Sequence, residues 1–136
     1  MIKRFLSFLT LVMLLSIPLP TVAAGVNADV KSVCQAVGRK LASVSTKECL
    51  SHHYNEPRYF SVNGHAILET HFPANEGDES APRILFIGGI HGDEYSSVSV
   101  TFKWLNTLQK HHSGRFDWYF VPVLNPDGLL QRKSTT

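Results

Sequence analysis

His91 and Glu94 are the residues of this 136-residue sequence whose types and spacing most directly suggest chemistry. An imidazole nitrogen and a carboxylate oxygen on neighbouring turns of chain are ready-made ligands for zinc. A second constellation, Asn125-Pro-Asp-Gly128, follows further along. Each pattern alone has an ordinary explanation. His91 reads equally as a hydrogen-bonded loop histidine, and Glu94 as a favourable charge at a helix N-terminus. Asn, Pro, Asp and Gly each suit a turn. Two ligands also do not close a zinc site, which takes at least three from the protein.

The elements that must position these residues sharpen the reading. Ile84 to Ile90 carries no charge, which predicts a strand covered on both faces. Gly88 and Gly89 allow the backbone to bend or to be approached closely. A helix follows from about Glu94 to Gln109. Tyr95, Val98, Phe102 and Leu105 form its apolar stripe, with Leu108 beside it. Ser113-Gly114 ends the helical region. Trp118 to Leu124 is a second apolar strand, in which Pro122 is expected beside a bulge or at an unpaired edge. Strand, helix and strand of these lengths predict a βαβ unit with parallel strands and a right-handed crossover. The loops that carry His91, Glu94 and Asn125–Gly128 then open at one sheet edge, where ligands bind in open α/β folds.

The upstream chain is helical and then hairpin-like. Asn27 or Asp29 can cap a helix from Val30 to about Leu41, although Gly38 weakens it. Ser45-Thr-Lys-Glu48 has the form of a capping box, so a second helix starts near Thr46. Tyr59–Val62 and His65–Thr70 flank Asn63-Gly64, a hairpin signal in which both turn residues tolerate positive φ. Pro73 to Pro82 reads as a solvated acidic surface loop. His52, His53, His65, His71, His111 and His112 add imidazoles that nothing local places at the site.

Residues 1–24 read as a cleaved secretory signal. Lys3-Arg4 precedes an apolar run from Phe5 to Leu19, and Val22-Ala-Ala24 offers small residues before Gly25. The run is short for a bilayer core of ~30 Å and ends in Pro18 and Pro20, which argues against a stable membrane anchor. Export to a periplasmic or extracellular location favours a Cys34–Cys49 disulfide, with ~3 kcal/mol of stabilisation on a chain-entropy account. The formal charge of +2 includes Lys3 and Arg4, so the processed chain is close to neutral. Composition gives no electrostatic case for nucleic acid as a partner. Hydrophobic residues at 43% and charged residues at 18% fit a globular domain rather than disorder.

Gly88-Gly-Ile-His91-Gly-Asp-Glu94, followed by Val123-Leu-Asn-Pro-Asp-Gly128, resembles the zinc carboxypeptidases related to carboxypeptidase A. The form is closest to bacterial members such as the murein peptide amidases, and the likeness runs from roughly Phe60 to Thr136. The resemblance implies that His91 and Glu94 are the first two ligands of Zn2+. It also implies hydrolysis of a peptide or amide bond by a zinc-activated water, and a peptide substrate, with cell-wall peptide suited to an exported member. Asp93 and Asp127 are candidates to support the His91 ring. The family takes a third ligand, a glutamate base and carboxylate-holding Arg and Asn residues from later in the chain. Arg132 follows Gly128 too closely to be that arginine.

The organisation expected is a signal peptide at 1–24, a short disulfide-stapled helical segment at 25–55, and at 56–136 the truncated N-terminal part of a carboxypeptidase-like α/β domain. That domain is part of a mixed, mostly parallel sheet with flanking helices. The alternatives are a catalytically inactive remnant without third ligand and base, and a deacylase of N-acyl amino acids of the succinylglutamate desuccinylase or aspartoacylase kind. Those deacylases share His-x-x-Glu, whereas Asn-Pro-Asp-Gly favours the peptidase side.

Overall fold

Val30, Val33, Val37 and Leu41 recur at helical spacing, and their burial draws the first helix, α1 (Ala28–Lys40), onto the core. The structure, a computed structural model, describes residues 28–131. The proposed signal at 1–24 and Arg132 lie outside them. Asp29 in the first turn of α1 and Arg39 and Lys40 in the last complement the helix dipole. The second helix, α2 (Thr46–Leu50), starts where the capping box places it, and Ser45 Oγ accepts from the Glu48 amide at 3.0 Å. The reciprocal half of the box is replaced: Glu48 Oε1 accepts from Asn106 Nδ2 at 2.6 Å. Cys34 and Cys49 are joined in a disulfide, and both are fully buried.

The sheet has three strands, β1 (Thr70–Phe72), β2 (Arg83–Ile87) and β3 (Asp117–Val121), in the order β1-β3-β2. β1 runs antiparallel to β3, and β2 runs parallel to it with Ile84 opposite Trp118 and Phe86 opposite Phe120. The long helix α3 (Tyr95–His111) makes the crossover between the parallel strands. The mixed α/β architecture and the βαβ unit therefore stand as the sequence predicts. Val98, Phe102, Leu105 and Leu108 are buried along α3, with Thr101 among them. Thr101 fits an apolar face because its hydroxyl donates to Ser97 O at 2.8 Å.

Four local expectations change. β2 is not covered on both faces. It is an edge strand, with Ile84 and Phe86 half-buried but Leu85 63% and Ile87 37% exposed. Only the Phe86 side is packed, against the Phe120 ring at 4.6 Å and the Trp104 ring of α3 at 6.0 Å. Second, the hairpin at Asn63-Gly64 reduces to a bridge between Phe60 and Ala66. Gly64 alone takes a positive φ, of 79°, and the pair Ser61–His65 closes a three-residue loop. Third, Asn125-Pro-Asp-Gly128 is not a free turn but the cap and first turn of α4 (Pro126–Leu130). Fourth, β3 ends at Val121, and Pro122 lies just past it. Gly88 N donates to Val121 O, but Leu124 N donates back to Gly88 O, one residue later than regular parallel pairing would have it. Pro122 thus sits beside a one-residue bulge, the first of its two expected settings.

One buried cluster runs from Val30 through Phe102 and Phe120 to Leu129, so the helical segment and the sheet share a core. Side-chain bonds between Ser43 and Ser99 and between His52 and Gln109, with Gln109 Nε2 also donating to the Ser51 carbonyl, tie the α2 region to α3. Among the described residues, no helix is long and apolar enough to cross a membrane.

Candidate metal centre

β2 ends at Ile87, and the next residues build the turn that presents His91. Gly89 adopts φ 59°, and a Cβ there would stand 2.9 Å from Val98 Cγ2. Its amide donates to Ser97 Oγ at 3.1 Å, which fastens the turn to the first turn of α3. Gly92 is required for a different reason. A Cβ on it would lie 2.1 Å from the carbonyl carbon of Gly128, so the loop of one motif rests directly on the backbone of the other. The Asn125 side chain completes the junction: Nδ2 donates to Ile90 O at 3.2 Å, while Oδ1 accepts from Gly128 N at 2.8 Å. Asn125 N also donates to Gly89 O at 2.9 Å. The two constellations meet at the carboxyl end of the parallel strands, as the βαβ reading requires.

Glu94 occupies the N-cap position of α3, yet its side chain makes no capping hydrogen bond. Its carboxylate turns to His91 instead, with Oε1 3.2 Å from His91 Nδ1. The side chains are 69% and 58% exposed, so both donors are open to an incoming ion. Two donors bound at ~2.0–2.1 Å to one tetrahedral zinc stand about 3.3 Å apart. The pair fits zinc in donor type and in spacing. Among the described residues, no group of three or more His, Cys, Asp or Glu side chains comes together to hold a metal.

The expected support for the His91 ring is not made by Asp127. That carboxylate is occupied elsewhere: Oδ1 accepts from Ser61 Oγ at 2.6 Å and from His65 Nδ1 at 2.8 Å, and Oδ2 accepts from the Asn63 amide at 3.1 Å. These bonds, from Ser61 first and His65 next, hold the Asp127 carboxyl below the usual carboxylate range. Asp93 is exposed, and its backbone carbonyl accepts from Tyr95 N. His65 is the residue sequence reasoning passed over. Its link to Asp127 spans 62 positions, and no local pattern signals it. Three other histidines have partners away from His91. His71 Nε2 bonds Asp117, His112 Nε2 bonds Phe116 O, and His52 is buried with Nδ1 on Gln109 Oε1.

Fold and geometry define a class: an α/β domain that presents an imidazole–carboxylate donor pair at the carboxyl ends of its parallel strands. The zinc carboxypeptidase family profile matches residues 58–135, and the chain belongs to that family. It is a zinc carboxypeptidase-like protein, and members of the family normally bind Zn2+.

Proposed function

We propose that this chain belongs to an exported zinc-dependent metallocarboxypeptidase or peptide amidase, in which His91 and Glu94 are two of the protein ligands to the metal. The observation that carries the reading is the 3.2 Å approach of His91 Nδ1 to Glu94 Oε1 within the matched family region. Zinc held by such a pair supplies Lewis acidity for cleavage of a peptide or amide bond. The chain's own residues supply the mounting. Ser97 and Asn125 fix the turn on either side of Ile90. Glu94 stands at the N-terminus of α3 beside His91, and ligation uses its carboxylate in the ionised form. His91 must present a neutral ring, with its Nδ1 lone pair free for the ion.

Export is supported by the sequence of residues 1–24 and by the Cys34–Cys49 disulfide, which suits an oxidising compartment. The substrate proposed is a peptide, with cell-wall peptide as the class for a murein peptide amidase-like member. Domain limits of 25–55 for the stapled segment and 56–136 for the catalytic part belong to the same proposal.

The test is a titration of the chain with zinc against a chromophoric chelator, beside His91→Ala and Glu94→Ala. Both substitutions should abolish the saturable phase. Where a longer form is expressed, its hydrolysis of C-terminal residues or amides should be lost with chelator and restored by zinc. Activity indifferent to chelator and to His91→Ala would sink the proposal. Faster turnover of N-acyl amino acids than of peptides would move it to the deacylases.

A further inference from the structure

We propose that Asp127 is a positioning residue for His91, holding the first turn of α4 where that turn brackets the His91 backbone. The proposal rests on the metal-pair reading above only in its zinc readout.

The bracketing is direct. On one side of His91, Asn125 Nδ2 bonds Ile90 O at 3.2 Å. On the other, Gly92 is packed so closely on Gly128 that a methyl group would not fit. Both contacts come from residues 125–128, so a displacement of that turn displaces His91 from both flanks.

The turn cannot hold its own place. α4 has five residues, too few for a helix to be stable by its own hydrogen bonds. Pro126 and Leu129 anchor it to the core, and Asn125 caps it. Asp127 adds the polar anchor on another side. It gathers three donors from a single loop: the Ser61 hydroxyl, the Asn63 amide and the His65 ring. An ionised carboxylate is acceptor-only, so His65 carries its proton on Nδ1 in this arrangement. Ser61 Oγ in turn accepts from the His65 amide at 3.0 Å, which locks the donors to one another. Charge-assisted bonds of this kind are about twice as strong as neutral ones. The chain of contacts thus runs from the hairpin loop to Asp127 and the α4 turn, and from that turn to Ile90 by a hydrogen bond and to Gly92 by packing.

The experiment compares the full chain with Asp127→Ala and Asp127→Asn. Three quantities are read: the His91 backbone and ring 15N shifts without metal, zinc affinity by chelator competition, and the melting temperature. Asp127→Ala should move the His91 signals and weaken zinc binding about tenfold, the low end of the effect of residues that orient ligands. Asp127→Asn keeps an acceptor for the Ser61 hydroxyl and should recover most of both. A lower melting temperature with unmoved His91 signals and unchanged zinc affinity would overturn the proposal, because a purely structural role predicts that pattern. If Asp127→Ala does not fold, Ser61→Ala takes its place, and silent His91 signals there overturn the proposal equally. Wild-type chain that binds zinc no better than His91→Ala would sink the metal-pair reading. The metal-free shifts would still decide the role of Asp127.

Discussion

The stapled helices from Ala28 to Leu50 and the strand and turn from Arg83 to Glu94 are built on opposite terms. In the first, Cys34, Val37 and Cys49 are wholly enclosed, and the two cysteines are joined by a disulfide. In the second, Leu85, Ile90, His91 and Glu94 lie open, and among the described residues β2 pairs with a strand on one side alone. α3 connects the two. Its buried stripe belongs to the core, and its first turn fixes the Gly89 backbone and carries Glu94. Stability and reactivity are thereby separated along the molecule. A donor pair must be reachable by ion and substrate, whereas a core must exclude water.

Substitutions in the enclosed half should cost stability, and those in the open half should cost binding. The largest effect is expected from Phe102→Ala in the middle of α3, where the ring is fully buried and packs near His52. The loss should be about 3–5 kcal/mol, seen as a collapse of the melting temperature. A loss below that of a surface substitution would show the core to be looser than its burial indicates. Replacing Cys34 and Cys49 together by Ser should cost about 3 kcal/mol, since the bridge spans 15 positions. Denaturant midpoints with and without reductant measure it, and only the wild type should respond to reductant.

A smaller effect is tied to pH. Burial holds the His52 imidazole below its usual 6.5, the Gln109 bond opposing only in part. Below 6.5 the unfolded chain binds this proton and the folded chain resists it. Stability therefore falls as pH drops through the window beneath 6.5 and is regained above it. Urea midpoints across that window should slope in the wild type and flatten in His52→Gln. The smallest stability change belongs to His91→Ala. The side chain is 69% exposed, so the change should stay within about 0.5 kcal/mol while saturable zinc binding disappears. A strong destabilisation there would break the separation between the two regions.

What the sequence determined by itself was local and periodic. The α3 stripe, the Ser45 cap, the parallel strands and the meeting of both motifs at one sheet edge follow from spacing and handedness, which a short window already contains. His91 and Glu94 were visible as a pair because three positions of chain bring them together without help from the fold. Tertiary structure decided what depends on distant partners. Ile84–Ile90 has the same apolar composition whether covered on one face or two, and only the packing leaves Leu85 in solvent. Asn125–Gly128 suits a turn and a helix start equally, and burial of Pro126 and Leu129 selects the helix. Asp127 could have supported His91, but the Ser61–His65 loop brings three donors to it from more than sixty positions away. Hydrogen bonds of that kind are specified by where two remote segments are held, and no stretch of sequence around either one encodes the other's position.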